Sequence, residues 1–520
     1  MKPCVLEKLV IYLYTLLFSG ILLLLFLVRD IYDLAYGKKF PLETGGLFFI
    51  GLIFLLCIFK ISNVCKPYIS KLIIRHSGRL RIIFTIALVI IQIILCYSAY
   101  FISGWDPGII KETVLQEVTG NYSQINRLYY SWYPNNLLLV WIFTCIIKPF
   151  YHIIPLEQLE FLICIFQCMI DGVVGWFLYD IAYKISGSYS WTWATYFMYF
   201  LFVGISPWFM VPYSDSTGIL FPILITWLYT RLKRDSKKQK IIVAIIMGVV
   251  SNLGMHIKPQ VIIVLIAIVF NELLVFIREK ASFRALKEAL IFLIGIIAAF
   301  LIMNVIYTNW IIPQLKIEVN DELPMEIPHY MMMGLNNITN GGYLDSDRMY
   351  SISFDNRAER NRADLQECGR RLNDYGLVGL AKHLCKKTLV NYGDGTFAWA
   401  EEGTFIKNQP DWANTWLSPL LRGIVYPDGK YYMCFILVKQ LLWLIVLGGM
   451  PFLYIARKHI NCEKDAAVFV MCMSVIGLTL FELIFEARAR YLFCYSPLYV
   501  LLGVYGIAKV YGKVIKKEIA

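Results

Sequence analysis

Apolar residues along this chain fall in long uninterrupted runs, without the alternation of half-buried strands or the three-to-four spacing of amphipathic helices. Runs at about 9–28, 46–60, 82–102, 159–183, 190–208, 216–230, 241–256, 261–277, 288–310, 434–455, 466–485 and 492–510 each approach the length a bilayer core demands once tilt is allowed for. They predict an all-α polytopic membrane protein of about twelve transmembrane helices. One more run, Leu137 to Ile147, stops at Lys148-Pro149 after about eleven residues, the length of a re-entrant or interfacial segment. The first run lacks a small-residue cleavage signature and reads as a retained anchor.

The polar stretches between the runs give a topology. Basic blocks at Lys60 to Arg81 (with Lys66, Lys71, Arg75 and Arg79), Arg231 to Lys240, Arg278 to Lys287, Arg457-Lys458 and Lys513 to Lys517 mark the cytoplasmic side. Twelve spans then place both termini inside. The short run 137–147 stays outside, within a long external loop from 103 to about 158; were it to cross, Arg231 to Lys240 would face the wrong way. The chain divides into a transmembrane hairpin with its basic loop (1–81), a transmembrane module (82–310), a small external domain of α or α+β type (311–431) and a three-helix C-terminal region (432–520). A helix is expected near Asp355–Leu372.

Composition agrees: 58% of residues are hydrophobic, 17% are charged, and the mean hydropathy is +0.60. The net charge of +12 sits in the short blocks beside spans, and no basic, aromatic-interleaved face for nucleic acid stands out. Most of the thirteen cysteines lie inside apolar runs as small hydrophobes and imply no disulfide framework.

Ionisable residues at membrane boundaries are the candidate chemistry, because charge at that depth is costly. Asp106 lies in Ser103-Gly104-Trp105-Asp106-Pro107-Gly108, where one span ends. Asp215 follows Pro212-Tyr213-Ser214, Lys258 lies in His256-Ile257-Lys258-Pro259-Gln260, and Glu482 to Tyr491 holds Glu486, Arg488 and Arg490. Acids early and bases late on one face suit glycosyl transfer from a lipid phosphate: a carboxylate takes the acceptor's proton and cations hold the departing phosphate. Each has a structural reading too. Asp106 and Asp215 can cap helices, Glu486 and Arg490 can pair at i,i+4, and Lys258 can snorkel. His256 has no partner at metal-ligand spacing. Trp399, Trp412 and Trp416 fit an interfacial aromatic belt better than a sugar-stacking platform. Asn121-Tyr-Ser123 and Asn337-Ile-Thr339 are glycosylation sequons.

The order and sidedness of three motifs resemble the GT-C superfamily of polytopic glycosyltransferases, most closely the bacterial mannosyltransferase-like members related to the protein O-mannosyltransferase and lipid A aminoarabinose transferase group. Gly104-Trp105-Asp106-Pro107-Gly108 is followed by Ser131-Trp132-Tyr133-Pro134-Asn135-Asn136 before the short helix. Pro212-Tyr213-Ser214-Asp215 and Glu486-Ala-Arg488-Ala-Arg490-Tyr491 are the other two. The likeness covers roughly 82–310. The chain departs from that pattern in the added hairpin 9–60, in a first-loop acid pair reduced to Asp106 with Glu112 six residues on, and in the domain inserted before the last three spans.

The resemblance implies an inverting transferase of the cell membrane that moves a sugar from a polyprenyl-phosphate donor to a hydroxyl of an envelope glycan, lipid or protein. Asp106 is then the general base and Asp215 positions a substrate. Lys258, Arg488 and Arg490 bind the lipid phosphate, and Glu112, Tyr133 and Tyr213 complete the substrate site. No metal is demanded, although Asp106 and Asp215 have the chemistry to share a divalent ion if the fold joins them. A lipid-linked saccharide flippase or transporter, and an envelope polysaccharide polymerase or ligase, are the competing classes.

Overall fold

The computed structural model describes residues 5–28, 31–33, 38–39, 43–232, 236–278, 283–399, 406, 409–456 and 464–518; side chains at 5, 31–33, 38–39, 57–74, 124, 278, 283–286, 454–456, 464–465 and 513–518 lie outside that description. Much of the basic clustering expected at 60–74, 279–286, 457–458 and 513–517 therefore falls outside it. Among the described residues the regular structure is helical apart from two short paired strands, Ile31–Asp33 and Lys38–Lys39.

Nine helices among the described residues are long and apolar enough to cross a membrane: Leu6–Val28, Arg75–Ser98, Leu156–Ser186, Lys237–Ile257, Pro259–Ile277, Lys287–Gln314, Tyr432–Leu453, Ala466–Ile484 and Ala489–Gly512. The sequence pattern predicts twelve, and the three others differ for local reasons. Run 46–60 is the opening of one continuous helix, Thr44–Ser98, of which Thr44–Leu56 is the apolar part among the described residues, and no turn separates it from the next span. Run 190–208 is helical over Tyr189–Tyr199, widens into a π turn at Phe200–Gly204, and restarts at Pro207–Met210 as a 3-10 turn. Run 216–230 divides into Ser214–Gly218 and Leu220–Thr230.

A helix can break at membrane depth only if the freed carbonyls find donors. Here Lys439, buried on the Tyr432–Gly449 helix, donates to the carbonyls of Leu201, Phe202 and Ile205 at 2.9, 2.7 and 2.7 Å. Gln92 closes the next gap, its side-chain amide donating to Ser206 O while its carbonyl oxygen accepts from Ser206 N. The break thereby delivers Tyr213 and Asp215 to the end of the bundle.

The first long loop carries two packed helices, Trp105–Thr119 and Leu137–Ile147, the latter eleven residues long. A buried ion pair, Lys111 to Glu160 at 2.8 Å, ties the first of these to the start of the Phe161–Ser186 helix.

The described part of residues 311–431 carries the helices Ile327–Gly334, Asp345–Ile352, Arg357–Tyr392 and Ser418–Val425 joined by loops. Asn356 caps the longest of them, its side chain accepting from Ala358 N and Glu359 N. That helix kinks at Gly376, φ +56°, and its last turn enters the bundle. The Tyr392 hydroxyl meets those of Thr479 and Tyr499 at 2.5 and 2.8 Å, and Trp443 Nε1 donates to Tyr392 O. The following loop is buried: Asp394 accepts from Thr396 N and Ala398 N, and Gly395 N donates to Gln440. This stretch therefore packs among the spans, so that the inserted region and the bundle share one core.

Candidate functional site

Gly104 caps the Trp105–Thr119 helix without any side-chain bond, so Asp106 does not serve as the N-cap its spacing suggests. Trp105 instead adopts φ +40°, a left-handed conformation that strains a bulky residue and that concentrates at functional sites. The turn is tight enough that a Cβ on Gly108 would sit 2.6 Å from Ser103 O, which explains the glycine. This geometry frees the Asp106 carboxylate, and its Oδ2 accepts a 2.9 Å hydrogen bond from the Tyr213 hydroxyl.

Tyr213 is extended, just ahead of the Ser214–Gly218 turn, with its carbonyl held by Gln167 of the Phe161–Ser186 span at 3.3 Å. Burial, and then the Asp106 carboxylate, hold its hydroxyl well above the ordinary phenol value, so it remains a proton donor to Asp106. Two residues on, Asp215 is fully buried and makes no helix cap; it forms an ion pair with Lys258, which is also buried. Lys258 follows the last residue of the Lys237–Ile257 helix, and Pro259 stops that helix from continuing. Lys258 does not snorkel to solvent.

Arg490 completes the cluster from the far end of the chain. Its guanidinium lies 4.6 Å from the centre of the Trp105 ring, 5.3 Å from Tyr491 and 5.7 Å from Tyr213. Lys258 Nζ lies 5.2 Å from the same Tyr491 ring, whose hydroxyl donates to Glu486 at 2.8 Å. Residues 485–488 are not helical, so Glu486 and Arg490 do not lie on one helix. Arg488 is buried two residues before Arg490, and its carbonyl accepts from Tyr491 N.

Tyr133 lies within electrostatic reach of Asp106, Arg348 and Glu486, its hydroxyl raised first by burial and then by Asp106. Glu112 does not join: six residues from Asp106 is roughly 240° around a helix, and its side chain is exposed. The buried acid of that helix is Glu117, which accepts from Lys316 N at 2.8 Å. Of the tryptophans, Trp399 is buried with Nε1 donating to Val425 O, Trp412 packs on Tyr97 and Tyr100, and Trp416 is exposed. His256 stacks on Tyr307.

Four more residues lie at the cluster, none of them given a role by the sequence. Trp105 and Tyr491 are two among many aromatics. Tyr129, whose hydroxyl accepts from Asn136 at 2.8 Å, lies beside Asp106. Glu482 is fully buried within electrostatic reach of Lys258, Asp215 and Lys387. Among the described residues no group of three or more His, Cys, Asp or Glu is placed to hold a metal ion, and Asp215 is already balanced by Lys258.

A family model described as "Conserved hypothetical integral membrane protein" matches residues 5–510, and the chain belongs to that family. No curated protein matches the chain.

Proposed function

We propose that this member of the conserved hypothetical integral membrane protein family is an inverting glycosyltransferase, moving a sugar from a polyprenyl-phosphate donor to an acceptor hydroxyl at the external face of the cell membrane. One observation carries the reading: stretches around 105–106, 213–215, 258 and 490–491, far apart in sequence, meet in a single cluster that pairs a carboxylate with cations and aromatic rings.

In the proposed step the acceptor oxygen attacks the anomeric carbon as the carbon–oxygen bond to phosphate breaks. The acceptor's proton passes to Asp106 and the bonding electrons leave with the phosphate. No covalent enzyme intermediate is needed in a single displacement. Tyr213 spends its one proton on Asp106 Oδ2, which orients the carboxylate; Oδ1 is then the proposed base. Arg490, on a platform of three rings, is the cation proposed to meet developing phosphate charge, with Arg488 beside it in sequence. Lys258 is neutralised by Asp215, so that pair fixes the local charge and orients Tyr491. Envelope glycan, lipid or protein hydroxyls are the acceptor class, both termini are cytoplasmic, and the scheme uses no metal.

A transporter of lipid-linked saccharides is favoured by a different observation, the polar side chains buried within spans: Asp171 bonded to Tyr199, and Lys439 on its three carbonyls. One experiment separates the two. Purified protein in vesicles, given polyprenyl-phosphate sugars and an envelope extract, should release polyprenyl phosphate and form an inverted glycoside. Translocation of intact donor without release would establish the transporter instead.

A further inference from the structure

The inserted region is stitched to the cluster at two places. Met325 N donates to Trp132 O at 2.9 Å, one residue before Tyr133, and Asn320 N donates to Ser131 Oγ at 2.9 Å. At the second place Ala487 N, next to Glu486, donates to Gly341 O at 2.7 Å. The turn around Gly341 has little freedom. The Asn336 side-chain amide donates to Met333 O and Gly342 O, both at 2.7 Å, and its oxygen accepts from Thr339 N at 2.9 Å. Gly341 adopts φ +87°, where a side chain is strained, and a Cβ there would stand 2.8 Å from Gly334 O.

This rigid turn presents Tyr343, which is 47% exposed and yet fixed. Its hydroxyl donates to Asp345 Oδ1 at 2.9 Å and accepts from Arg348 Nε at 3.1 Å, and Arg348 also pairs with Asp345. Asp345 is exposed, so the ring stands on the water side, where a charge is cheaply solvated. An exposed ring held at its tip gives up little entropy on binding. Inward from it, Tyr133 lies within electrostatic reach of Tyr343, Arg348 and Asp106. The Tyr133 ring centre is 5.3 Å from that of Tyr129, which lies beside Asp106. Exposure falls along this series, from Tyr343 through half-buried Tyr133 to buried Tyr129.

A sugar ring has apolar C–H faces and hydroxyls around its edge. The face of Tyr343 suits the first, and the carboxylate and guanidinium at its rim suit the second. A lipid acceptor would arrive through the bilayer, where the charges of Asp345 and Arg348 are costly. We propose that Tyr343, with Asp345 and Arg348 at its rim, is a sugar-stacking subsite, and that the acceptor is a glycan led from it along Tyr133 and Tyr129 to Asp106. The path to Asp106 rests on the proposed transferase reading; the subsite itself does not.

The test uses full-length protein in lipid nanodiscs and two probes: oligosaccharides released from the cell envelope and tagged with a fluorophore at the reducing end, and a polyprenyl-phosphate sugar. Wild type should bind both. Tyr343→Ala should weaken oligosaccharide binding about tenfold, the scale of one ring contact, with donor affinity unchanged. Tyr343→Phe keeps the ring but loses its tip bonds, and should fall between the two. Arg490→Ala should show the reverse pattern, losing the donor and keeping the oligosaccharide. Unchanged oligosaccharide affinity in Tyr343→Ala, or none in wild type, would overturn the subsite. Loss of both probes in Tyr343→Ala and Tyr343→Phe alike would overturn it too, since the ring would then hold the fold and not a sugar. Oligosaccharide binding that depends on Tyr343, in a wild type without affinity for the donor, would leave the subsite standing and remove the transferase reading.

Discussion

Arg490 shows how far single residues could be read. Its charge at a membrane exit marked it from sequence, as did the charges of Asp106, Asp215 and Lys258, because such positions are expensive to occupy. Its seat over Trp105, Tyr213 and Tyr491 was not legible, since aromatics are too common in this chain for any three to stand out. Nor was the Asp215–Lys258 pairing, which depends on a contact across 43 residues. Glu112 failed because linear proximity to Asp106 did not place it on the same helix face. Arg490→Lys keeps charge but loses the planar two-pronged guanidinium. It should raise the KM for the lipid-phosphate donor by about ten- to hundredfold, the worth of one charge-assisted hydrogen bond, and Arg490→Ala should do more. Steady-state kinetics across donor concentration check this; an unaltered KM in both variants would remove Arg490 from the phosphate site.

Elements were legible where apolar runs were unbroken. Leu137–Ile147, at its eleven residues, was visible because its length fits neither a loop nor a full crossing. The π turn at Phe200–Gly204 and the split at Ile219 were not, for they rely on donors such as Lys439 and Gln92 brought from distant helices. The inserted region adds a pH-sensitive element. His329, buried against Ser351 with Arg360 and Arg348 nearby, has its pKa pushed down from 6.5 to about 4, chiefly by burial. Between those values the unfolded segment binds more protons than the folded one, so stability is complete above 6.5 and is lost as pH falls toward 4. Hydrogen exchange over Ile327–Gly334 and Asp345–Ile352 should accelerate across that window in the wild type. His329→Gln should flatten the dependence. A wild-type profile without change between pH 6.5 and 4 would contradict the assignment.

At the scale of the whole molecule, composition alone declared an integral membrane protein; counting runs gave twelve spans, and among the described residues nine helices meet the length and hydropathy of a crossing. Runs 190–208 and 216–230 differ because apolarity continues there where the helix does not. The sidedness in the proposal rests on the basic blocks. Membrane-impermeant thiol reagent applied to sealed cells should label cysteines introduced at Gln314 and Asp355 and spare Lys237→Cys; labelling at 237 would invert the arrangement. The central claim is that Asp106 takes a proton from the acceptor. Asp106→Asn preserves size and can still meet the Tyr213 hydroxyl, yet it has no basic oxygen. The decisive measurement is single-turnover release of polyprenyl phosphate alongside donor binding, wild type against Asp106→Asn in the same vesicles. The account predicts a rate lower by about a hundredfold or more with donor binding unchanged. Release at the wild-type rate would show that Asp106 only shapes the turn at Trp105, and the proposed mechanism would fall.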